Sequence, residues 1–246
     1  MDLEICVDSV ESAIAAANGG AERIELCSAL SEGGITPSVG LINTVRAAVS
    51  IQLFVIIRPR GGSFVYSDPE LDVMRKDILE AKTRGVDGVV LGVLTNEDTV
   101  DRARTMELIE LARPLQVTFH RAFDVCTDVD RALEDVIACG ADRLLTSGGK
   151  TDAVKGMNTI ASLQRRALDR IRIMAGGGIR ISNVRLIVLR TGIREVHTSL
   201  STQVRSTAND GGAEVNALHG GFERFLVREN DVRAFKSALH EVAAGS

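Results

Sequence analysis

The stretch VTFHRAFD at residues 117–124 runs from Val117, Thr118 and Phe119 straight into His120, Arg121 and Asp124. An apolar strand that ends on an imidazole, a guanidinium and a carboxylate has the form of a strand delivering a site at its carboxyl end. The same event recurs at residues 3–8, 22–27, 52–58, 143–148, 172–178 and 195–199, each a short apolar run stopped by polar residues or glycine. Helical patterns alternate with these runs at 10–18, 38–49, 69–84, 99–112, 128–139, 152–168 and 182–190, with a last one at 231–243. Seven such runs and eight helical patterns fit eight strands and eight helices, at about 31 residues per unit when 246 residues are divided among eight. The expected architecture is a (β/α)8 TIM barrel forming a single domain over residues 1–246, with a long irregular loop at about 201–225 after the eighth strand. A doubly wound open sheet is the competing α/β architecture, but nothing in the chain signals the reversal of strand order that it needs.

Composition narrows the function classes. With 45% hydrophobic residues the chain can bury a sizeable core. A formal charge of −4, from 29 basic and 33 acidic residues, argues against a general electrostatic grip on nucleic acid or an anionic membrane. An aromatic content of 3% without tryptophan leaves few platforms for stacking bases. No apolar run approaches the ~20 residues needed to cross a bilayer. The opening MDLEICVDSV reads as a charged amphipathic strand rather than a signal segment. The four cysteines, Cys6, Cys27, Cys126 and Cys139, lie far apart without CxxC spacing, as expected of free thiols in a reduced, cytoplasmic protein.

Parity along the strands sorts the side chains. If Leu3, Ile5 and Val7 face the helices, Glu4, Cys6 and Asp8 face the barrel interior; by the same test Arg23, Glu25 and Cys27 point inward, as do Arg58, His120 and His197. An interior this polar must be paired, so Glu4, Glu25, Arg58 and one or both histidines are expected within hydrogen-bonding reach of one another. Such a network can also fill a barrel without any function; its place near the carboxyl ends of the strands favours a site.

Several of the quoted runs occur together in a known family. Glu25-Leu26-Cys27, Ser31-Glu32-Gly33-Gly34 with Thr36-Pro37-Ser38, Ile57-Arg58-Pro59-Arg60-Gly61-Gly62, Tyr66-Ser67-Asp68, residues 118–124, Leu145-Thr146-Ser147-Gly148 and Glu195-Val196-His197 resemble, in order and at the family's spacing, the copper homeostasis protein CutC family. The match runs from Leu3 to Ser201. The resemblance implies a cytoplasmic TIM barrel, often a homo-oligomer, linked to copper and proposed to bind Cu(I) through cysteines that fall on Cys6 and Cys27. A nuclease dependent on a divalent metal has also been proposed within the family; the modest basic content gives it little support.

The residues make the copper idea testable. Cys6 and Cys27 are near the ends of adjacent strands, which lie ~4.8 Å apart, with shared inward parity, and soft thiolates select Cu(I) over harder ions. A free buried cysteine also packs as a small hydrophobe, the reading adopted for Cys126 and Cys139. An enzymatic alternative acts on a small anionic or phosphorylated ligand. In it His120 is the candidate acid or base, oriented by Asp124 or Glu25, while Arg58, Arg60, Arg121 and His197 line the cavity. Gly177 and Gly178 follow the seventh strand, where many barrels hold a phosphate on backbone amides. The bland readings are that Arg58 neutralises Glu25 or Asp8, Arg60 is solvated, His120 is a satisfied buried histidine, and the glycines only turn the chain. His219 and His240 read as loop and surface residues.

Overall fold

The computed structural model describes residues 1–204 and 224–244. Eight parallel strands close in sequence order: β1 Asp2–Val7, β2 Arg23–Leu26, β3 Gln52–Ile56, β4 Gly88–Leu91, β5 Gln116–Phe119, β6 Arg143–Thr146, β7 Arg172–Ala175 and β8 Glu195–Thr198, with β8 pairing back onto β1. The helices α1 Val10–Asn18, α2 Val39–Ala48, α3 Asp68–Thr83, α4 Arg102–Ala112, α5 Val129–Ala138, α6 Met157–Ala167 and α7 Ile181–Thr191 alternate with them, and α8 Glu229–Ala244 follows β8. This is a (β/α)8 TIM barrel; closure removes the open-sheet alternative.

The alternation read from sequence places Leu3, Ile5, Ile24, Leu26, Leu53 and Val55 against the helices, all fully buried. Burial of each such side chain contributes ~1.5–3 kcal/mol, which drives the helices onto the barrel wall. Helix starts are fixed by side-chain caps: the Ser9 hydroxyl accepts from the Ser12 N–H at 3.2 Å and Asp101 accepts from the Arg104 N–H at 3.1 Å. That cap starts α4 at Arg102, three residues after the expected Thr99. Likewise α6 begins at Met157 rather than near residue 152, because Gly156 packs directly on the Ser147 carbonyl and the chain turns there first.

β4 carries none of the polar punctuation of the other strands. Gly88–Leu91 is followed by Gly92, Val93 and Leu94, all buried, so this run ends without exposing chemistry. Gly88 itself is required by the interior: a Cβ there would stand 2.5 Å from the Phe54 ring, which projects from β3 across the barrel floor.

The expected loop at 201–225 needs correction where the chain is described. Ser201–Val204 (β9) and Arg224–Val227 (β10) pair as an antiparallel ribbon, with Val227 opposite Ser201. The hydroxyl of Ser12 on α1 accepts from the Val227 N–H at 3.2 Å and ties the ribbon to the barrel. The rest of that segment, including His219, lies outside the described residues; His240 is exposed on α8.

Candidate functional site

The barrel interior is built in levels by strand register. Glu4 on β1 is level with Arg23 on β2 and His197 on β8, and Cys6 is level with Glu25. At the lower level Arg23 donates through Nε to Glu4 and through Nη2 to Glu195 at 2.8 Å, while Arg143 donates through Nε to the same Glu195. All four side chains are almost inaccessible. Arg23 and Arg143 both lie over the Phe54 ring, 5.0 and 5.4 Å from its centroid. Two carboxylates thus pair with two buried guanidiniums on an aromatic floor, and Glu195 also accepts from the exposed Arg172 at 3.3 Å. Arg143 and Glu195 were not read as part of this network from sequence; the signal was there, since each opens its strand and faces inward.

Above this floor sit the thiols. Cys6 Sγ and Cys27 Sγ are 3.4 Å apart, both buried. The backbone ladder sets this approach, because the Cys27 N–H donates to the Val7 carbonyl at 2.9 Å and extends the pairing of β1 with β2 by one residue. The loop 33–34 then covers Cys27: Gly34 has φ +85°, and a Cβ on it would stand 3.2 Å from the Cys27 sulfur. Sγ of both cysteines and a carboxylate oxygen of Glu25 lie within 4.8 Å of one another, a set able to hold a metal ion. Glu4, Glu25 and His197 form a second, harder set at the same spacing, but Glu4 is already committed to Arg23 and His197.

His197 links the two levels. Its Nδ1 is 2.7 Å from Glu4 Oε1 and its Nε2 is 3.5 Å from Glu25 Oε2. Burial works against a charge on His197, yet its bonds to Cys6 and Glu4 and the nearby carboxylates hold its pKa well above the ordinary imidazole value. Burial also opposes ionisation of Glu4, where the Arg23 charge and the His197 bond win and pull the pKa down. Glu25 goes the other way, raised well above the carboxylate range by burial and then by the charge of Cys6. The thiols split: the hydrogen bond from Cys27 lowers Cys6, and the same bond together with burial raises Cys27. Cys6, drawn down to about 6, therefore ionises before Cys27, whose proton is held more tightly than that of an ordinary thiol.

The remaining candidates separate into cavity walls and scaffolding. A cavity of about 270 Å³ above the thiols is lined by Cys6, Glu25, Cys27 and His197 at its base and by Arg58, His120, Arg121, Gly177 and Gly178 higher up. Arg58 does not pair with Glu25 or Asp8. Its guanidinium donates to the carbonyls of Glu32, Gly34 and Gly62 at 2.7–2.9 Å and stitches two loops together. Arg60 does not line the cavity: partly exposed, it pairs with Glu70 at 2.5 Å and with the carbonyls of Gly61, Ser63 and Val65. His120 meets neither Asp124 nor Glu25; its Nδ1 accepts from the Ala122 N–H at 3.2 Å. Asp124 is a hub, accepting from Thr146 Oγ1, the Ser147 N–H and hydroxyl, the Gly149 N–H and Arg121 Nε at 2.5–3.0 Å. Cys126 and Cys139 are buried apart from the cluster, and burial raises both thiols to about 11.

A larger hollow of about 770 Å³ opens at the opposite rim, lined by Met1, Asp2, Arg172 and Arg194 among others. Of the titratable residues that carry the cluster it touches only Glu195, and barrel chemistry belongs to the carboxyl-terminal rim.

Comparison with known proteins agrees with the geometry. The CutC family model matches residues 1–202. The human copper homeostasis protein cutC homolog is 49% identical over 209 residues, covering 85% of this chain and 75% of that protein. A CutC family protein of Chromobacterium violaceum is 44% identical over 240 residues, covering 96% and 97% of the two chains. A CutC crystal structure from Streptococcus agalactiae superposes with TM-score 0.76 at 34% identity, covering 80% of this chain and 97% of that one. By family model, by relatives and by fold, the chain belongs to the CutC family.

Proposed function

We propose that this protein, as a single domain, binds Cu(I) through Cys6 and Cys27 and serves copper homeostasis in the cytoplasm. The observation that carries the reading is the 3.4 Å separation of the two sulfurs at the base of the cavity. The donor set fits the ion, since thiolates are the soft ligands that select Cu(I) and Glu25 is within reach as a third donor. Binding at both sulfurs releases the Cys27 proton, so affinity rises with pH until that thiol is ionised. Four free cysteines suit a reducing compartment. A relative with 49% identity carries copper homeostasis in its name, which supports the same assignment here.

The test is anaerobic competition with a chromogenic Cu(I) chelator. One Cu(I) per chain is expected, lost in the Cys6→Ser/Cys27→Ser double variant; undiminished binding in that variant overturns the proposal. The family's tendency to form homo-oligomers is carried over in the same way, and light scattering on the purified chain decides it.

A further inference from the structure

Copper binding at the base of the cavity leaves its mouth unexplained. Three guanidiniums line that mouth, on Arg58, Arg121 and Arg180. Among the described residues only Arg121 has a carboxylate partner, Asp124 at 2.8 Å, and that carboxylate is already shared with Thr146, Ser147 and Gly149. The partners of Arg58 are carbonyls, which accept from Nη1 and Nη2 without cancelling its charge, and its buried Nε has no partner among the described residues. Arg180 is exposed, and among the described residues its guanidinium donates only to the Ile179 carbonyl at 3.2 Å. In a chain of net charge −4 the mouth is thus a local cationic funnel.

An orphaned donor stands in the same wall. His120 is 5% exposed, and its Nε2 has no hydrogen-bond partner among the described residues. Its Nδ1 accepts from a backbone N–H, and burial with the nearby Arg58 charge lowers its pKa to about 3, so the neutral ring carries its proton on Nε2. A buried donor left unpaired costs ~1–3 kcal/mol. The Phe64 ring, only partly buried, lies over His120 with centroids 4.9 Å apart, and also faces the Arg58 guanidinium at 5.0 Å. Across the mouth, the backbone N–H groups of Gly177 and Gly178 find no partner among the described residues. The Arg121 guanidinium lies beside them, 3.4 Å from where a Gly177 Cβ would stand. Backbone donors after the seventh strand are a common seat for oxyanions in this fold.

We propose that the mouth binds a small organic oxyanion, its phosphate or carboxylate group held by Arg121, Arg180 and the Gly177 and Gly178 amides, with a second acceptor oxygen taken by His120 Nε2–H when the Phe64 ring swings aside. The cavity of about 270 Å³ limits the ligand to a small metabolite.

The experiment uses the full, reduced, copper-free chain at fixed ionic strength. Inorganic phosphate is titrated in one arm and malonate in the other, against chloride, with heat of binding and the ring ¹⁵N–¹H signal of His120 as readouts. Saturable one-site binding of either anion is expected, and the arm that saturates identifies the group as phosphate or carboxylate. Arg121→Met and Arg180→Met, checked for folding by circular dichroism, should each weaken it about tenfold, the loss of a charge-assisted contact. His120→Leu should weaken it, and His120→Gln, which restores an N–H donor, should recover most of the loss. The Cys6→Ser/Cys27→Ser variant should stay within about threefold of wild type, as for separate sites, which distinguishes failure here from failure of the copper reading. Absence of saturation in both arms, or binding indifferent to Arg121→Met and Arg180→Met, overturns the proposal.

Discussion

Replacing Glu195 by glutamine tests the ionic floor on which the thiols rest. Glu195 accepts from Arg23 and Arg143, and all three side chains are 6% exposed or less, so the substitution leaves two buried guanidiniums sharing the single charge of Glu4. Breaking a buried pair by removing one partner costs ~3–5 kcal/mol, and glutamine keeps one acceptor oxygen, which places the loss at the low end, ~3 kcal/mol. An unfolding entropy of ~2.1 cal/mol/K per residue gives ~0.5 kcal/mol/K for 246 residues, so the expected fall in Tm is ~6 °C at pH 7. The pH dependence has a definite sign. Burial opposes ionisation of Glu195, but Arg143 and Arg23 lower its pKa in the folded state, so its contribution is complete above the unfolded carboxylate value and is lost as pH falls through the folded one. The wild type and Glu195→Gln melting curves, followed by circular dichroism, should therefore converge as the pH is taken below 4. A fall in Tm under ~2 °C at pH 7, or a gap that widens in acid, would refute the assignment of this network as a paired floor.

Gly88→Ala should cost ~1–3 kcal/mol in urea unfolding, the usual cost of overpacking, because its Cβ meets the Phe54 ring at 2.5 Å; Phe54→Leu in the same chain should recover part of it, and additive losses would contradict the contact. Alkylation by iodoacetamide should favour Cys6 over Cys27, and its rate should reach a plateau below the ordinary thiol value of 9.0. Cys27→Ala removes the donor and should move that plateau upward; an unmoved profile in mass-spectrometric mapping speaks against the thiol pair. The His120 ring should show no titration by NMR between pH 5 and 8, because burial and Arg58 lower its pKa to about 3; a midpoint near 6.5 would contradict its environment.

The barrel and the base of the site were legible in sequence for one physical reason: strand parity is rigid. Once Leu3, Ile5 and Val7 face the helices, Glu4 and Cys6 face inward, and the same rule places Arg23, Glu25, Cys27 and His197. Contacts between loops have no such period. Arg58 was read as a charge facing carboxylates, whereas its partners are three carbonyls on two loops, invisible to any pattern of side-chain types. Asp124 looked like an orienter of His120 because both belong to one motif, but a short 3₁₀ turn at Arg121–Val125 rotates it towards Thr146 and Ser147 instead. Arg60 follows Arg58 by two residues and was expected at the same rim, yet Glu70, also in the capping box of α3 with Ser67, draws it away. β4 was silent because its end is apolar, and β9 with β10 because strands of four residues are too short to show a clear alternation.

The central claim is that two neighbouring strands bring Cys6 and Cys27 together as one soft binding site. X-ray absorption at the copper edge of the chain loaded anaerobically with one equivalent of Cu(I) tests it directly. Two sulfur scatterers in the inner shell, absent from the Cys6→Ser/Cys27→Ser variant, are predicted. An inner shell of nitrogen or oxygen alone, or two sulfurs that persist in that variant, would contradict it.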